Sequence, residues 1–469
     1  MTIRARAWLE QDKIRPFHKR RPVSSLTISL DRFFCLTERG SSVRTEIIAG
    51  LTTFLTMAYI VFVQPAVLGA AGMDAGAVLV ATCIASAIGT LLMGLLANYP
   101  IGVAPAMGHN FFFAFTVVIA GGTPWRTALG AVAIAGLVFI LTAGFGLRER
   151  LMIAVPDPIK HAIGAGIGLL IALIGLECSG IVVDAPGMLV GLGSLKSAPV
   201  LLSLGTLALM AVLWARGIRA ALLIGMLVST AVALLMGLTT YQGIVAAPPS
   251  IAPTFLQLDI AGALRPSLLG VTLVFFLLAL FDSIGTLIGV ASRIGVVRNG
   301  TMPRAREALL ADAVGTVAGA ALGTSTVTAY VESSAGVASG GRTGLAAVVT
   351  AGLFLLALFF HPLVKMIGGG LDAGNHVTLY PSVAPALVLV GVMMMQSVRE
   401  VRWDDATDAV PAFLTMVVMP LAVSITDGIA FGLIAIVLLK GATGRARELH
   451  PLVYVFATVF LLRYVLGLR

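Results

Sequence analysis

Four acids interrupt the apolar stretches of this chain: Glu177, Asp282, Asp312 and Glu332. His109 joins them as a fifth titratable group. Asp282 follows the run LVFFLLALF and precedes Ser283, Gly285 and Thr286, which places it well inside an apolar segment. An acid in that setting costs about 2.5–3.5 kcal/mol on insertion scales, so its retention marks function. Carboxylates accept hydrogen bonds from ligand N–H groups, and an acid in low dielectric can also bind and release a proton. Asp282 and Glu332 are therefore candidates for both substrate binding and proton coupling. The structural alternative for Asp282 is a helix–helix hydrogen bond to a backbone group or a hydroxyl. Glu177 lies near a segment end and reads as an interfacial acid. Asp312, in ALLADAVGTVAG, reads as a polar pin between helices, and Thr286 as a structural polar residue.

Glu332 belongs to the stretch 324–340, STVTAYVESSAGVASGG. Its first residues are β-prone (Thr324, Thr326, Val327, Thr328, Tyr330, Val331), and those after Glu332 are small. That pattern predicts a short extended piece running into a short helix, with serines and a carboxylate crowding the helix start. Irregular backbone is tolerated at membrane depth where protein buries it or it lines a cavity. Thr328 and Tyr330 thus join the candidate binding residues. A second interrupted stretch, IGVAPAMGHNFFFAF, carries Gly102, Pro105, Gly108, His109 and Asn110. Asn110 offers a donor and an acceptor to the edge of a heterocycle. In the run Phe111 to Phe113, Phe112 is the candidate for stacking on a flat ring.

The elements that must position these residues are apolar helices. Of 469 residues, 58% are hydrophobic and 11% charged, and the mean hydropathy is +1.01. Many stretches approach the roughly 20 apolar residues that cross a bilayer, so the chain reads as an all-α polytopic membrane protein. The 52 glycines suit close helix packing and broken helices. Fourteen segments are expected. A basic tail occupies 1–46, segments 1–4 fall in 47–148, 5–7 in 149–240, 8–11 in 263–367 and 12–14 in 383–440. A basic loop and one more apolar stretch fill 441–469. With the amino terminus cytoplasmic, 25 of the 31 Lys and Arg fall on cytoplasmic stretches. Four (Arg126, Lys196, Arg265, Lys365) lie outside, and Arg463 and Arg469 lie in the last segment. This asymmetry is the positive-inside pattern; it accounts for the net charge of +9 without nucleic-acid binding. The tail holds no apolar signal core close behind its charges, and its HKRR could touch anionic lipid. Cys35, Cys83 and Cys178 show neither a disulfide framework nor metal spacing.

Asn110 and Glu332 stand 222 residues apart, and segments 1 and 8 begin about 219 apart. Two seven-segment halves with matching interruptions fit this spacing, and an odd number of crossings inverts the second half. Corresponding broken segments point to a transporter site. No GxSxG, HExxH or P-loop is present, so an enzyme acting on lipid lacks a nucleophile or metal set.

The stretches TEIIAGLTTFLTMAYIVFVQP, APAMGHNFFFAF, FDSIGTLIGV, ADAVGTVAGAALGTSTVTAYVESSAGVASGGRTGL and VPAF resemble the purine permeases of the azaguanine-resistance (AzgA-like) type. These belong to the nucleobase–cation symporter and nucleobase/ascorbate transporter superfamily. The resemblance spans about residues 33–450. It implies fourteen segments in two inverted repeats: segments 1–4 and 8–11 as a core domain, 5–7 and 12–14 as a gate domain. Segments 3 and 10 would each hold a short strand and a half-helix. It places the family's substrate contacts on Asp282, Glu332 and Asn110. It implies symport of a purine base with a proton and no other cofactor, in the cell membrane, with a homodimer formed through the gate domain. The segment 10 motif leans towards adenine-type relatives, with hypoxanthine and guanine open. The chain departs from the pattern at His109, where an aliphatic residue is usual, and at Phe111, where a small one is. Its 368–382 loop is longer than usual and its first 30 residues look additional. The second reading is an anion exchanger or channel of the same architecture, against which the two acids argue.

Overall fold

The computed structural model of the chain describes residues 25–145, 156–185, 188–296, 302–372 and 378–465. The basic tail through residue 24, Arg148, Arg150, Arg298 and Arg469 lie outside the described residues, as do 373–377 of the long loop.

Two strands of three residues each, far apart in sequence, pair at the centre of the molecule. β1 (Val103–Pro105) and β4 (Val327–Ala329) run antiparallel with Val103 opposite Ala329 and Pro105 opposite Val327. The ribbon is extended by Ala106 N–H to Thr326 O and by Tyr330 N–H to Gly102 O, both 3.0 Å. A two-stranded ribbon leaves its outer edges unpaired, which lipid would not tolerate. Here helix threonines occupy them. Thr90 accepts from Val103 N–H at 2.9 Å and donates to Val103 O, and Thr316 donates to Val327 O at 2.7 Å. Thr90 lies on α4 (Ala75–Leu92) and Thr316 on α12 (Ala305–Leu322). These helices cross beneath the ribbon at Gly89 and Gly315. A Cβ built on Gly89 would come within 2.9 Å of the Val103 side chain, so only glycine admits the approach.

Each strand runs into a short helix. β4 leads to α13 (Ser333–Ala338), as the 324–340 pattern predicts. β1 leads to α5 (Met107–Phe111), which continues as a wider-wound π-helix over Phe112–Ala120. Around them pack α2 (Val43–Met57), α3 (Tyr59–Ala70), α6 (Trp125–Phe145), α11 (Pro266–Ile294) and α14 (Gly344–Ala357). A second packed group comprises α7 (Asp157–Cys178), α16 (Ala384–Met394), α17 (Ala406–Leu421) and α18 (Ile425–Ala442). α8 (Ala198–Ala215) and α9 (Ala221–Leu235) pair beside it, and α19 (Pro451–Val465) packs on α18. Among the described residues, eight helical spans are long and apolar enough to cross a membrane.

Several boundaries differ from the sequence reading. The segment expected over 47–70 begins at Val43 and is interrupted at Ala58, between α2 and α3. The segment expected to 183 ends at Cys178, because Gly180 adopts a φ of +70° and turns the chain into a hairpin of β2 (Val182–Ala185) and β3 (Met188–Leu192). A further pair, β5 (Leu371–Asp372) with β6 (Thr378–Leu379), lies in the long loop. Neither hairpin is expected from the apolar pattern, which carries no signal for short polar strands.

Arg39 donates to the carbonyls of Asn98 and Arg342, and Tyr99 donates to Pro303 O beside Arg304. Arg126 lies in the first turn of α6, and its carbonyl receives Asp259 N–H.

Candidate functional site

Glu332 closes the turn between β4 and α13 and is half-buried. Tyr59, at the first position of α3, donates to its Oε1 at 2.7 Å. Asp282 lies midway along α11, and Thr328 of β4 donates to its Oδ2 at 2.9 Å. Thr328 and Glu332 are four residues apart, so one short stretch touches both acids. The Asp282 side chain is exposed on the face of α11 that Thr328 meets. The same face of α11 continues through Gly285 and Gly289, where an added Cβ would meet nothing within 4 Å. Between the two helix groups lies an apolar pocket lined by Val67, Phe111, Phe115, Ile174, Tyr380 and Leu387.

None of the ion pairs among the described residues involves Asp282 or Glu332. Each acid keeps one oxygen free of a hydroxyl partner, and so retains acceptor capacity for a ligand N–H.

The remaining candidates sit further back. Asn110 is fully buried; its amide NH2 donates to Gln64 Oε1 at 2.5 Å, so its donor is already used. His109 is buried against the Leu278 carbonyl, with Nδ1 left without a protein partner. Phe112 is fully buried and meets Phe275 edge-on at 4.8 Å. Tyr330 is buried and its hydroxyl donates to Pro105 O, which ties the two strand–helix units together. Asp312 is fully buried facing Ser283 and the Ala329 backbone, and Thr286 is buried one turn beyond Asp282. The structure thus brings Asp282, Glu332 and Thr328 together, and holds His109, Asn110, Phe112 and Tyr330 in the packed layer behind them. Glu177 is exposed at the end of α7, as expected for an interfacial acid.

Two contributors escaped the sequence reading: Tyr59 and Gln64, both in TMAYIVFVQP. A Gln inside an apolar run was a legible signal, since a buried amide needs partners. The role of Tyr59 depends on a contact 273 residues away and has no local mark.

Two short helices, each entered from a strand of one ribbon, with acids beside them and apolar helices all round, are the broken-helix arrangement found at membrane transporter sites. The chain belongs to the Permease family (Xan_ur_permease), which matches residues 44–431. It is 46% identical over 437 residues to the adenine permease AdeP of Escherichia coli (strain K12), covering 93% of this chain and 96% of that protein. It is 44% identical over 445 residues to the guanine/hypoxanthine permease PbuG of Bacillus subtilis (strain 168), covering 92% and 99%. Among solved structures, the transmembrane domain of the cyanobacterial bicarbonate transporter BicA superposes with a TM-score of 0.56 at 16% identity. That match covers 83% of this chain and 96% of that chain. At such identity the likeness is one of fold. The purine-permease resemblance noted in the sequence is thereby borne out, and the helical membrane fold with it.

Proposed function

We propose that this protein imports purine nucleobases across the cell membrane by proton symport. The carrying observation is the pair Asp282 and Glu332: two acids joined through the β4 stretch, each held by a single hydroxyl and, among the described residues, by no cation. Such acids accept the N–H groups of a base, and one of them takes up the coupling proton when the site is filled. A bound cation would have served an anion instead, so the anion-exchange alternative has only the shared fold behind it. The names of the relatives AdeP and PbuG support a purine as cargo.

In this reading the chain crosses the membrane fourteen times as two inverted seven-segment repeats, with its amino terminus in the cytoplasm. The group around β1 and β4 is the core, and the group around α7 and α17 is the gate. The core slides against the gate, elevator-like, carrying the base and proton from the sealed side to the open one.

The test uses the purified chain in proteoliposomes and labelled adenine. An inward proton gradient is expected to drive accumulation, and Glu332→Gln to remove it. Accumulation indifferent to the gradient rejects the coupling; undiminished uptake in Glu332→Gln rejects the site.

A further inference from the structure

Five of the described helices end in the same way, with one exception in residue type. After α7, α8, α9 and α18 the chain places a glycine with positive φ: Gly180 at +70°, Gly217 at +75°, Gly237 at +69° and Gly444 at +74°. The N–H of the residue that follows each glycine reaches back into the last turn, as Ile181 does to Leu176 O and Leu238 to Ala233 O. This is the Schellman ending, in which a left-handed residue closes the turn and glycine adopts that shape without a clash. α17 ends with the same bonds: Ser424 N–H meets Met419 O at 3.0 Å, and Val423 N–H meets Pro420 O at 3.4 Å. Its left-handed residue is Val423, at a φ of +48°. A β-branched side chain there is a steric outlier, and such strain persists where the surroundings hold it for a purpose.

What meets Val423 comes from the other helix group. Thr116, in the π-wound continuation of α5, donates its hydroxyl to Val423 O at 3.0 Å. A helical threonine ordinarily returns its hydroxyl to a carbonyl three or four residues back in its own helix. Thr142, Thr206, Thr230, Thr272 and Thr415 all do so. Thr116 sends its hydroxyl across the interface instead. Among the described residues, this hydrogen bond is the one that joins the helices around β1 and β4 to α7, α16, α17 and α18. Thr116 and Val423 are both half-buried. A second bridge, from Arg219 between α8 and α9 to Ser339 at the end of α13, is exposed, so water can replace either partner. Next to Thr116, Phe115 lines the apolar pocket between the groups, opposite Ile174, Cys178 and Tyr380.

We infer that Thr116 and Val423 form a catch between the two helix groups. The strained turn presents its carbonyl to Thr116, and the bond fastens the group bearing Asp282 and Glu332 in the conformation of this structure. This rests on the proposed sliding of core against gate. One neutral hydrogen bond is strong enough to bias a conformation and weak enough to break in every cycle. On release, Thr116 can turn its hydroxyl back to its own helix, as the other threonines do, so no donor is stranded.

The experiment uses the full chain with Cys35→Ser and Cys83→Ala, which leaves Cys178 as its single thiol. Cys178 lines the pocket beside the catch, so parting of the groups uncovers it. The readout is the rate at which N-ethylmaleimide labels Cys178 in proteoliposomes without purine, followed by mass spectrometry. Thr116→Val keeps the shape and removes the donor; it is expected to label roughly 2–10-fold faster, the worth of one neutral hydrogen bond. Thr116→Ser keeps the donor and is expected to label at the natural rate. Should Thr116→Val fail to fold, Thr116→Ala replaces it, with the same expected direction. A natural rate in the variant without the donor overturns the catch, as does an equally raised rate in Thr116→Ser. Adenine uptake is measured alongside: faster labelling without any uptake in the natural chain rejects purine transport and leaves the catch standing, whereas uptake with unchanged labelling rejects the catch alone.

Discussion

Asp408 and Glu332 are both acids held within the helical body, but by opposite means. Asp408, in the first turn of α17, is fully buried and bonded to Arg402, with Lys440 Nζ 3.3 Å away. Lys440, itself buried, also reaches Glu448 at 2.7 Å, and Arg445 links Glu448 to Asp405. Glu332 and Asp282 have one hydroxyl apiece and no cation. A cation fixes an acid in its charged form and in its place, which suits a joint between α17, α18 and the 446–448 turn. A hydroxyl satisfies one lone pair and leaves the charge uncompensated, to be completed by a proton or by a ligand N–H. Burial of an acid therefore identifies nothing until its partner is known.

The largest expected effect tests the fixed end. Lys440→Met leaves Asp408 with Arg402 as its remaining cation and is expected to cost about 3 kcal/mol of stability, the low end for breaking a buried pair because one partner stays. Thermal unfolding in detergent measures it; an unmoved midpoint would erase the distinction drawn here. Next comes the exchangeable end. Glu332→Gln is expected to lower adenine uptake roughly 10–100-fold, the worth of a charge-assisted hydrogen bond, while stability changes by less than about 1 kcal/mol. A fall in stability without a matching fall in uptake would move Glu332 to the structural class.

Tyr59→Phe is a smaller probe. Losing one hydroxyl donor is worth about 0.5–1.5 kcal/mol, so KM for the base should rise by up to about tenfold with little change in unfolding. An unaltered KM would show that Tyr59 only packs. The smallest effect concerns pH. Hydrogen bonds from Arg445 and Lys440 hold Glu448 down at about 2, below its ordinary 4.5, and Arg445 and Thr407 hold Asp405 below its usual range. Groups with depressed values contribute stability above their unfolded pKa and lose it as pH falls through the folded one. The unfolding midpoint should therefore hold steady from neutral pH down to about 5 and decline below it. Glu448 is exposed and Asp405 only half-buried, so the decline should be slight and shrink with salt. Glu448→Gln should flatten it further.

Much of the site was legible in the chain. The Thr/Val alternation of 324–331 followed by small residues marked β4 and α13, because both propensities act locally. Asp282 and Glu332 stood out because acids in apolar runs are costly. The π-wound continuation of α5, the break at Ala58 and the two outer hairpins left no comparable mark. Phe112 and Tyr330 were named for chemistry that any exposed ring could do, and packing has turned both inward.

By itself the sequence determined the membrane class, the two interrupted segments and the acids within them, since each follows from hydropathy and propensity within a short window. Only the tertiary structure decided that β1 meets β4, that Tyr59 holds Glu332, that Gln64 consumes the Asn110 donor and that Lys440 neutralises Asp408. These contacts join residues tens to hundreds of positions apart, and hydrogen bonding depends on the final distance and angle, which no local pattern encodes.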